Sequence, residues 1–262
     1  MFDRRVFLSG VSALSFTMIS GCQTMPNAPR RTYILVHGAW HGGWCWKDVK
    51  SNLERDGHRV YTPTLSGLGE NFTPRPTHIN LTTHVQDIVS LIETENLSNV
   101  TLVGHSYAGV VVSLVADKIK SKIDHLIYVD AVIPEDGKAF FPQPQQDEFL
   151  KLYQDDYVLP IGSLEFLGIP EDHPKVDWVL ENLTPHPLGC FLEKVHYTQN
   201  GPDGLPKTYI RCTGNPRFKD DPIKTLAENN AEWRYRIIDT GHDAMVTAPD
   251  ELSQMLELEH TR

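Results

Sequence analysis

A serine and a late histidine are the residues of this chain whose types and spacing suit covalent catalysis. The serine is Ser106, in the run Leu102-Val103-Gly104-His105-Ser106-Tyr107-Ala108-Gly109. An apolar stretch precedes it and a helical pattern follows, which is the setting of a nucleophile elbow. Such a turn is tight and strained, so small residues must flank the serine. Gly104 meets that need, and Ala108 stands where a second glycine is usual, with Gly109 next. A helix N-terminus behind the serine favours negative charge developing there. The plainer alternative is a serine that only caps a helix after a glycine turn.

The base is expected late in the chain. His242, in Gly241-His242-Asp243-Ala244-Met245, falls between the last strand pattern and the last helix pattern. That puts it at the same sheet edge as Ser106. His41, His173, His186 and His196 lack that placement, and His105 adjoins the serine but is expected to point elsewhere. The stretch His37-Gly38-Ala39-Trp40 follows the first strand. A loop there is able to aim the Ala39 N–H at an oxyanion, jointly with the N–H of Tyr107. His37 is expected to hold this loop by a side-chain hydrogen bond. Trp40, Trp44 and Phe191 are candidates for lining the acyl pocket, whereas Trp46 reads as core. No spacing of His, Cys and Asp suggests a metal site, and the chemistry needs no cofactor.

These residues require a sheet to carry them. Strand patterns fall at 33–36, 59–62, 100–103, 123–129, 208–212 and 233–237, separated by helical ones. Leu81, Val85, Ile88, Val89 and Ile92 form an amphipathic stripe, and Gly57 is a helix stop. Strands alternating with helices predict a parallel α/β sheet of about six strands. The rhythm breaks at 134–205, which holds nine prolines and many aromatic residues. This segment reads as a largely helical cap inserted between two halves of the core, 32–133 and 206–262. Its aromatic content argues against disorder.

The chain has 262 residues, 40% hydrophobic and 22% charged, with a net charge of −10 and no Lys/Arg run. A nucleic-acid partner would need a basic face, so none is expected. Residues 1–21 read as an address rather than as fold. Arg4 and Arg5 precede an apolar run, as in a twin-arginine export signal, and Ile19-Ser20-Gly21-Cys22 resembles a lipobox. Cys22 would then carry lipid and begin a tether over 22–31. Gln23 after it points to the outer membrane of a Gram-negative bacterium, on the periplasmic face. Losing Asp3, Arg4 and Arg5 removes a net +1 from −10 and leaves −11. The membrane would be met only through the lipid. Cys45, Cys190 and Cys212 are expected to be packing residues, and the oligomeric state is left open.

From about residue 32 to 260 the chain resembles the α/β-hydrolases, close to the plant methyl-ester esterase and hydroxynitrile lyase group and its bacterial esterase relatives. The resemblance rests on Leu35–Trp46 (LVHGAWHGGWCW), 62–70 (TPTLSGLGE), 102–109 (LVGHSYAG) and 241–245 (GHDAM). It implies Ser106 as nucleophile, His242 as base, and a cap over a pocket for small, often aromatic, esters. Two departures matter. The lyases carry lysine after the catalytic histidine and threonine after the first loop's histidine, where this chain has Asp243 and Gly38. Ester hydrolysis is therefore favoured over cyanohydrin cleavage. The plant members carry their acid after the penultimate strand, where this chain has Asn215. Asp130, at the end of the strand before it, is the expected acid, with Asp220 or Asp221 as alternatives. Rival readings are a lactonase or a C–C or cyanohydrin lyase on the same scaffold, and a ligand-binding lipoprotein without catalysis.

Overall fold

The computed structural model describes residues 30–74, 78–140, 151, 153–154, 156–159, 164–214 and 222–259. The export signal, Cys22, Asn215, Asp220 and Asp221 lie outside the described residues. The strands are β1 (Thr32–Val36), β2 (Arg59–Tyr61), β3 (Val100–His105), β4 (Ile123–Val129), β5 (Tyr153–Gln154), β6 (Tyr157–Val158), β7 (His186–Pro187), β8 (Lys207–Cys212) and β9 (Trp233–Ile238). The helices longer than a single 3₁₀ turn are α1 (Lys47–Arg55), α2 (Leu81–Thr94), α3 (Ala108–Ile119), α4 (Leu164–Leu167), α5 (Val176–Asn182), α6 (Gly189–Leu192), α7 (Pro222–Asn229), α8 (Ala244–Thr247) and α9 (Pro249–Leu258).

Six strands form one parallel sheet in the order β2-β1-β3-β4-β8-β9. Every residue of β3 is buried, because a central parallel strand is covered on both faces. Strand order reverses between β1 and β3, and in open α/β sheets the ligand crevice lies at the carboxyl ends beside such a switch. Register then brings the loops together. Val36 pairs with Gly104, His105 with Val129, and Val129 with Ile210. The segments that follow these residues, including 37–41, 106–107 and 130, therefore emerge at one edge.

Two apolar layers flank the sheet. One gathers Val85, Ile88 and Ile92 of α2 with the buried side of α3 and Phe191. The other gathers Trp46, Leu53 of α1 and Leu252 and Leu256 of α9. The stripe read from the sequence is the buried face of α2, whose start is closed by a reciprocal Asn80–Thr83 capping box. Cys45, Cys190 and Cys212 are free and buried, in packing positions.

The elbow explains its own glycines. A Cβ on Gly104 would come 2.8 Å from the Ala108 carbonyl oxygen, and one on Gly109 would come 2.1 Å from that of Val132. The backbone crowding thus falls on 109 rather than on 108, which is why alanine is tolerated at the earlier position.

Between β4 and β8 the chain adds three short helices, α4, α5 and α6, and also an antiparallel sheet β5-β6-β7, so the described part of this segment mixes the two. Two-residue strands are too short to show alternation in a sequence. This segment is stitched to the main sheet's loops. The Trp40 indole N–H donates to the Val158 carbonyl at 3.0 Å, and the Thr184 N–H donates to that of Trp40 at 2.9 Å. Its return is fixed by Asp117 of α3, buried, which accepts from the N–H groups of Thr198, Gln199 and Gly201 and from the Thr198 hydroxyl, at 2.7–2.8 Å. Removing that carboxylate leaves several donors unsatisfied, and each such loss is costly. Asp117→Ala is expected to lower the unfolding free energy by about 2–4 kcal/mol in urea titration. A change below about 0.5 kcal/mol, the range of ordinary surface substitutions, would show that the loop is held by other means.

Candidate active site

Three non-glycine residues at this edge have left-handed backbone: Ser106 at φ 52°, Asp130 at φ 44° and Trp40 at φ 66°. Each such conformation costs on the order of 1–3 kcal/mol and persists only where the surroundings enforce it. For Ser106 the enforcement is visible. Its N–H donates to the Val129 carbonyl at 3.2 Å, and its carbonyl accepts from Gly109 at 3.1 Å and Val132 at 3.0 Å. The serine is thereby pinned at the junction of β3 and α3, with the first turn of α3 behind it.

A relay of short hydrogen bonds runs from this serine into the protein. His242 Nε2 lies 2.9 Å from Ser106 Oγ, and His242 Nδ1 lies 2.7 Å from Asp130 Oδ2. A carboxylate facing Nδ1 selects the tautomer that carries its proton there. The Nε2 lone pair is then free to accept from the serine hydroxyl. Asp130 and His242 are buried, while Ser106 is only half-buried, so the serine end of the relay is the accessible one. The second Asp130 oxygen accepts from Arg211 Nη1 at 2.7 Å and from the Cys212 N–H at 3.4 Å. Arg211 is 7% exposed, and a buried carboxylate needs such a partner to offset its lost hydration. Sequence reasoning did not single out Arg211. Its signal was a lone charge inside the apolar run Tyr209–Cys212.

The loop that carries His242 is set by close backbone packing. A Cβ on Gly241 would lie 1.8 Å from the Gly168 carbonyl oxygen, and one on Gly168, itself at φ 66°, would lie 2.5 Å from the His242 nitrogen. The Asp243 N–H donates to the Leu167 carbonyl at 2.9 Å. The end of α4 therefore rests directly on the histidine's backbone. From the sheet side, His105 Nε2–H donates to the His242 carbonyl at 3.0 Å.

The loop after β1 closes the arrangement. A Cβ on Gly38 would come 2.8 Å from His105 Nδ1 and 3.0 Å from Ser106 Cβ, so this peptide lies against the serine and leaves no room for a side chain. The Leu65 N–H donates to His37 Nε2 at 3.1 Å, so Nδ1 carries the proton, which is donated to the Gly38 carbonyl at 2.9 Å. The Gly38 carbonyl and the Ala39 N–H belong to one planar peptide and point in opposite directions. Fixing the carbonyl therefore fixes the direction of the N–H.

The expected pocket aromatics divide into two groups. Trp40 and Phe191 belong to one cluster with Tyr107, Phe140, Phe166 and His186, in which Phe166 lies edge-on to both Trp40 and His242 at centroid distances of 5.7 and 6.1 Å. Trp44 instead stacks on His41 at 5.2 Å and meets Trp178 edge-on at 5.0 Å. Phe166 and the two histidines, His41 and His186, were not picked out from the sequence as parts of this site. His186 Nδ1 accepts from the Trp40 N–H at 3.3 Å, and His41 Nδ1 faces the Ala39 carbonyl at 2.8 Å. His84 completes the wall behind Tyr107, 3.0 Å from its hydroxyl.

Residues 33–255 match the alpha/beta hydrolase family, to which the chain belongs. It is 34% identical to the carbendazim hydrolyzing esterase of a Nocardioides strain, over 86% of this chain and 97% of that protein. It is 27% identical to methylesterase 2 of Arabidopsis thaliana, over 87% and 95%. Among solved structures, an extracellular alpha/beta-hydrolase from a Paenibacillus species superimposes with a TM-score of 0.75 at 22% identity, covering 88% of this chain and 99% of that one. The last likeness is one of fold.

Burial first, and neighbouring histidines in some cases, pushes four of the site's histidines away from charge. His37 and His105 are lowered to about 3, His84 to about 4, and His186 well below the ordinary value of 6.5. A base lowered in the folded state binds its proton first in the unfolded chain. Stability is then fully present above about pH 6.5 and falls as the pH drops toward the folded values. The four together predict a loss of up to ~1.4 kcal/mol per pH unit each between pH 6.5 and 4.5. Urea unfolding across that window checks this. An unfolding free energy that stays flat would contradict the neutral assignment.

Proposed function

We propose that this chain hydrolyses small carboxylic esters, methyl and aryl esters among them, through an acyl-enzyme on Ser106. The observation that carries the reading is the unbroken relay Ser106–His242–Asp130, at 2.9 and 2.7 Å, at the switch point of the sheet. His242 Nε2 takes the serine proton as Oγ attacks the ester carbonyl, and the imidazolium formed is stabilised by the Asp130 carboxylate. The N–H groups of Ala39 and Tyr107 receive the oxyanion, the first held by the His37 brace and the second at the start of α3. Collapse breaks the bond to the alkoxy group, which leaves with the proton from His242. Water then gives its proton to His242 and attacks the acyl carbon, releasing the acid and restoring Ser106. Trp40, Phe191 and Phe166 bound the acyl side, and Trp44 flanks the loop. Gly38 and Asp243 stand where the lyases carry threonine and lysine, and a side chain at 38 would meet His105 and Ser106, which supports hydrolysis over cyanohydrin cleavage.

A panel of methyl and aryl esters, with carbendazim included because of the Nocardioides relative, tests this on wild type, Ser106→Ala and Asp130→Asn. Ser106→Ala is expected to abolish turnover, and Asp130→Asn to lower kcat by roughly 10⁴ through the wrong imidazole tautomer, with the melting temperature retained in the first. Equal activity in Ser106→Ala, or a large loss in Asp220→Asn instead of Asp130→Asn, would overturn the assignment.

The enzyme is further proposed to reach its place of work as a lipoprotein, exported by the twin-arginine route and acylated at Cys22, on the periplasmic face of an outer membrane. The support is the Arg4-Arg5 pair, the apolar run and Ser20-Gly21-Cys22. Intact mass of the protein recovered from a Gram-negative host membrane is expected to show a diacylated or triacylated Cys22 as the first residue. An unmodified N-terminus would refute it.

A further inference from the structure

Next to the relay lies a second buried ion pair that the hydrolytic cycle does not use. His41 Nε2 is 3.1 Å from Asp243 Oδ2, with both side chains at 2% exposure or less. The other ring nitrogen, Nδ1, is 2.8 Å from the Ala39 carbonyl oxygen. Neither a carboxylate nor a carbonyl donates, so both ring nitrogens must carry protons and His41 is an imidazolium. The pair links two loops 202 residues apart in sequence. One end holds the peptide that follows Ala39, and the other is the residue after His242.

The Ala39–Trp40 peptide is gripped from both sides. Its carbonyl accepts from His41, and its N–H donates to His186 Nδ1 at 3.3 Å. The next residue, Trp40, is held at φ 66°, a conformation that needs such enforcement. The preceding peptide is fixed by His37. Two successive peptides are thus oriented by three imidazoles, and only His41 is in turn tied to the loop that carries the base.

We infer that His41 and Asp243 are positioning residues, which fix the oxyanion loop relative to His242 by holding the Ala39 carbonyl in place. The inference deepens the ester-hydrolase reading and rests on it for the identity of the oxyanion donor. Neither residue touches substrate. The peptide they grip is the one that follows Ala39, so they act on the Ala39 N–H through the Ala39 Cα, by holding the residue in place between two fixed peptides. The position of that N–H matters most when charge sits on the oxyanion, so the loss should appear in kcat rather than in KM.

The protonation balance supports this arrangement. Burial opposes charge on His41, but the Asp243 carboxylate and the Ala39 carbonyl outweigh it and raise the imidazole above its ordinary value. Asp243 is likewise penalised by burial, yet the charge and hydrogen bond of His41, with His105 and His242 nearby, hold it below its usual range. The groups that face the pair are His105, 6.2 Å from the His41 ring and 3.8 Å from the Asp243 carboxylate, His37, His242 and the Cys45 thiol, with the uncharged Trp44 ring stacked on His41. A group raised in the folded state gives its stabilisation below its unfolded value and loses it as pH rises through the folded one. Once His41 loses a proton, one N–H must serve two acceptors, and the grip on Ala39 weakens. Wild type should therefore show an alkaline decline in kcat above the raised value of His41.

Asparagine at 243 separates geometry from charge. An amide N–H donates to Nε2 of a neutral His41, which leaves Nδ1–H on the Ala39 carbonyl. Asp243→Ala removes the partner altogether. Measured on an aryl ester, Asp243→Ala and His41→Phe are each expected to lower kcat by roughly tenfold to a hundredfold, a partial loss of one oxyanion donor, with KM within about twofold. The double variant should be no worse than the poorer single one, because both break the same link. Asp243→Asn should recover most of kcat and lose the alkaline decline. Affinity for a trifluoromethyl ketone, whose bound form carries an oxyanion, should fall in step with kcat/KM. The inference is overturned if Asp243→Ala leaves kcat unchanged, if kcat and KM worsen together, or if Asn fares no better than Ala. Two readouts stand apart from ester turnover: the rate at which a fluorophosphonate labels Ser106, expected to drop in Asp243→Ala and return in Asp243→Asn, and ¹⁵N signals of His41, expected to show a doubly protonated ring at pH 7. Wild type that labels and shows that ring but turns over no ester would refute the substrate class alone. A ring neutral at pH 7, or labelling indifferent to residue 243, would refute the brace.

Discussion

The hydrogen bond between Asp130 and His242 is the contact on which the rest of the site depends. A carboxylate has been taken out of water to make it, and that is tolerable only because Arg211 meets its other oxygen and the Cys212 N–H lies alongside. With the carboxylate held, the imidazole has one tautomer and one orientation, and Ser106 Oγ has an acceptor in reach. Without it, the strained serine would still project from its elbow, but the imidazole beside it would not be held in the tautomer that accepts from its hydroxyl. The backbone strain at Ser106, Asp130 and Trp40 belongs to the same arrangement. It is sustained by the sheet's register and by crowded glycines, and it places Ser106 and Asp130 at opposite nitrogens of the same imidazole.

A second feature is how many imidazoles surround that point in different charge states. His37 and His105 are kept neutral and act as hydrogen-bond spacers for the loop after β1 and the His242 loop. His41 is kept charged by Asp243. The same side chain thus does two kinds of positioning work within a few ångströms, and the difference is set by whether the second ring nitrogen faces an acceptor. The segment between β4 and β8 takes part as well, since Leu167 and Gly168 rest on the histidine's backbone and His186 holds that of Trp40.

The fold and the Ser106 and His242 members of the relay were legible because they follow from local rules. A buried strand, a glycine turn and a helix around Ser106 leave few alternatives, and a histidine after the last strand must come to the same edge. Asp130 was legible as the residue that closes its strand, just after Val129, even though the chain has asparagine where the plant members place their acid. Arg211, Phe166 and the His41–Asp243 pair were not. Arg211 looks like an ordinary strand residue until its neighbour's charge is known. Phe166 reaches His242 only through the packing of α4. His41 and Asp243 lie 202 residues apart, and each sits in a motif whose neighbour drew the attention. Long-range polar contacts between loops carry no periodicity, so pattern reading passes over them. The short strands β5, β6 and β7 escaped for a similar reason, being shorter than the repeat that would reveal them.

The most direct measurement of the central claim is rapid-quench mass spectrometry during turnover of an activated acetate ester. An acetyl group should appear on the peptide containing Ser106 within the burst, at one equivalent per active site. It should be absent from Ser106→Ala and slow to form in Asp130→Asn. Turnover with no acyl adduct, or an adduct on a different residue that survives removal of the Ser106 hydroxyl, would contradict the account.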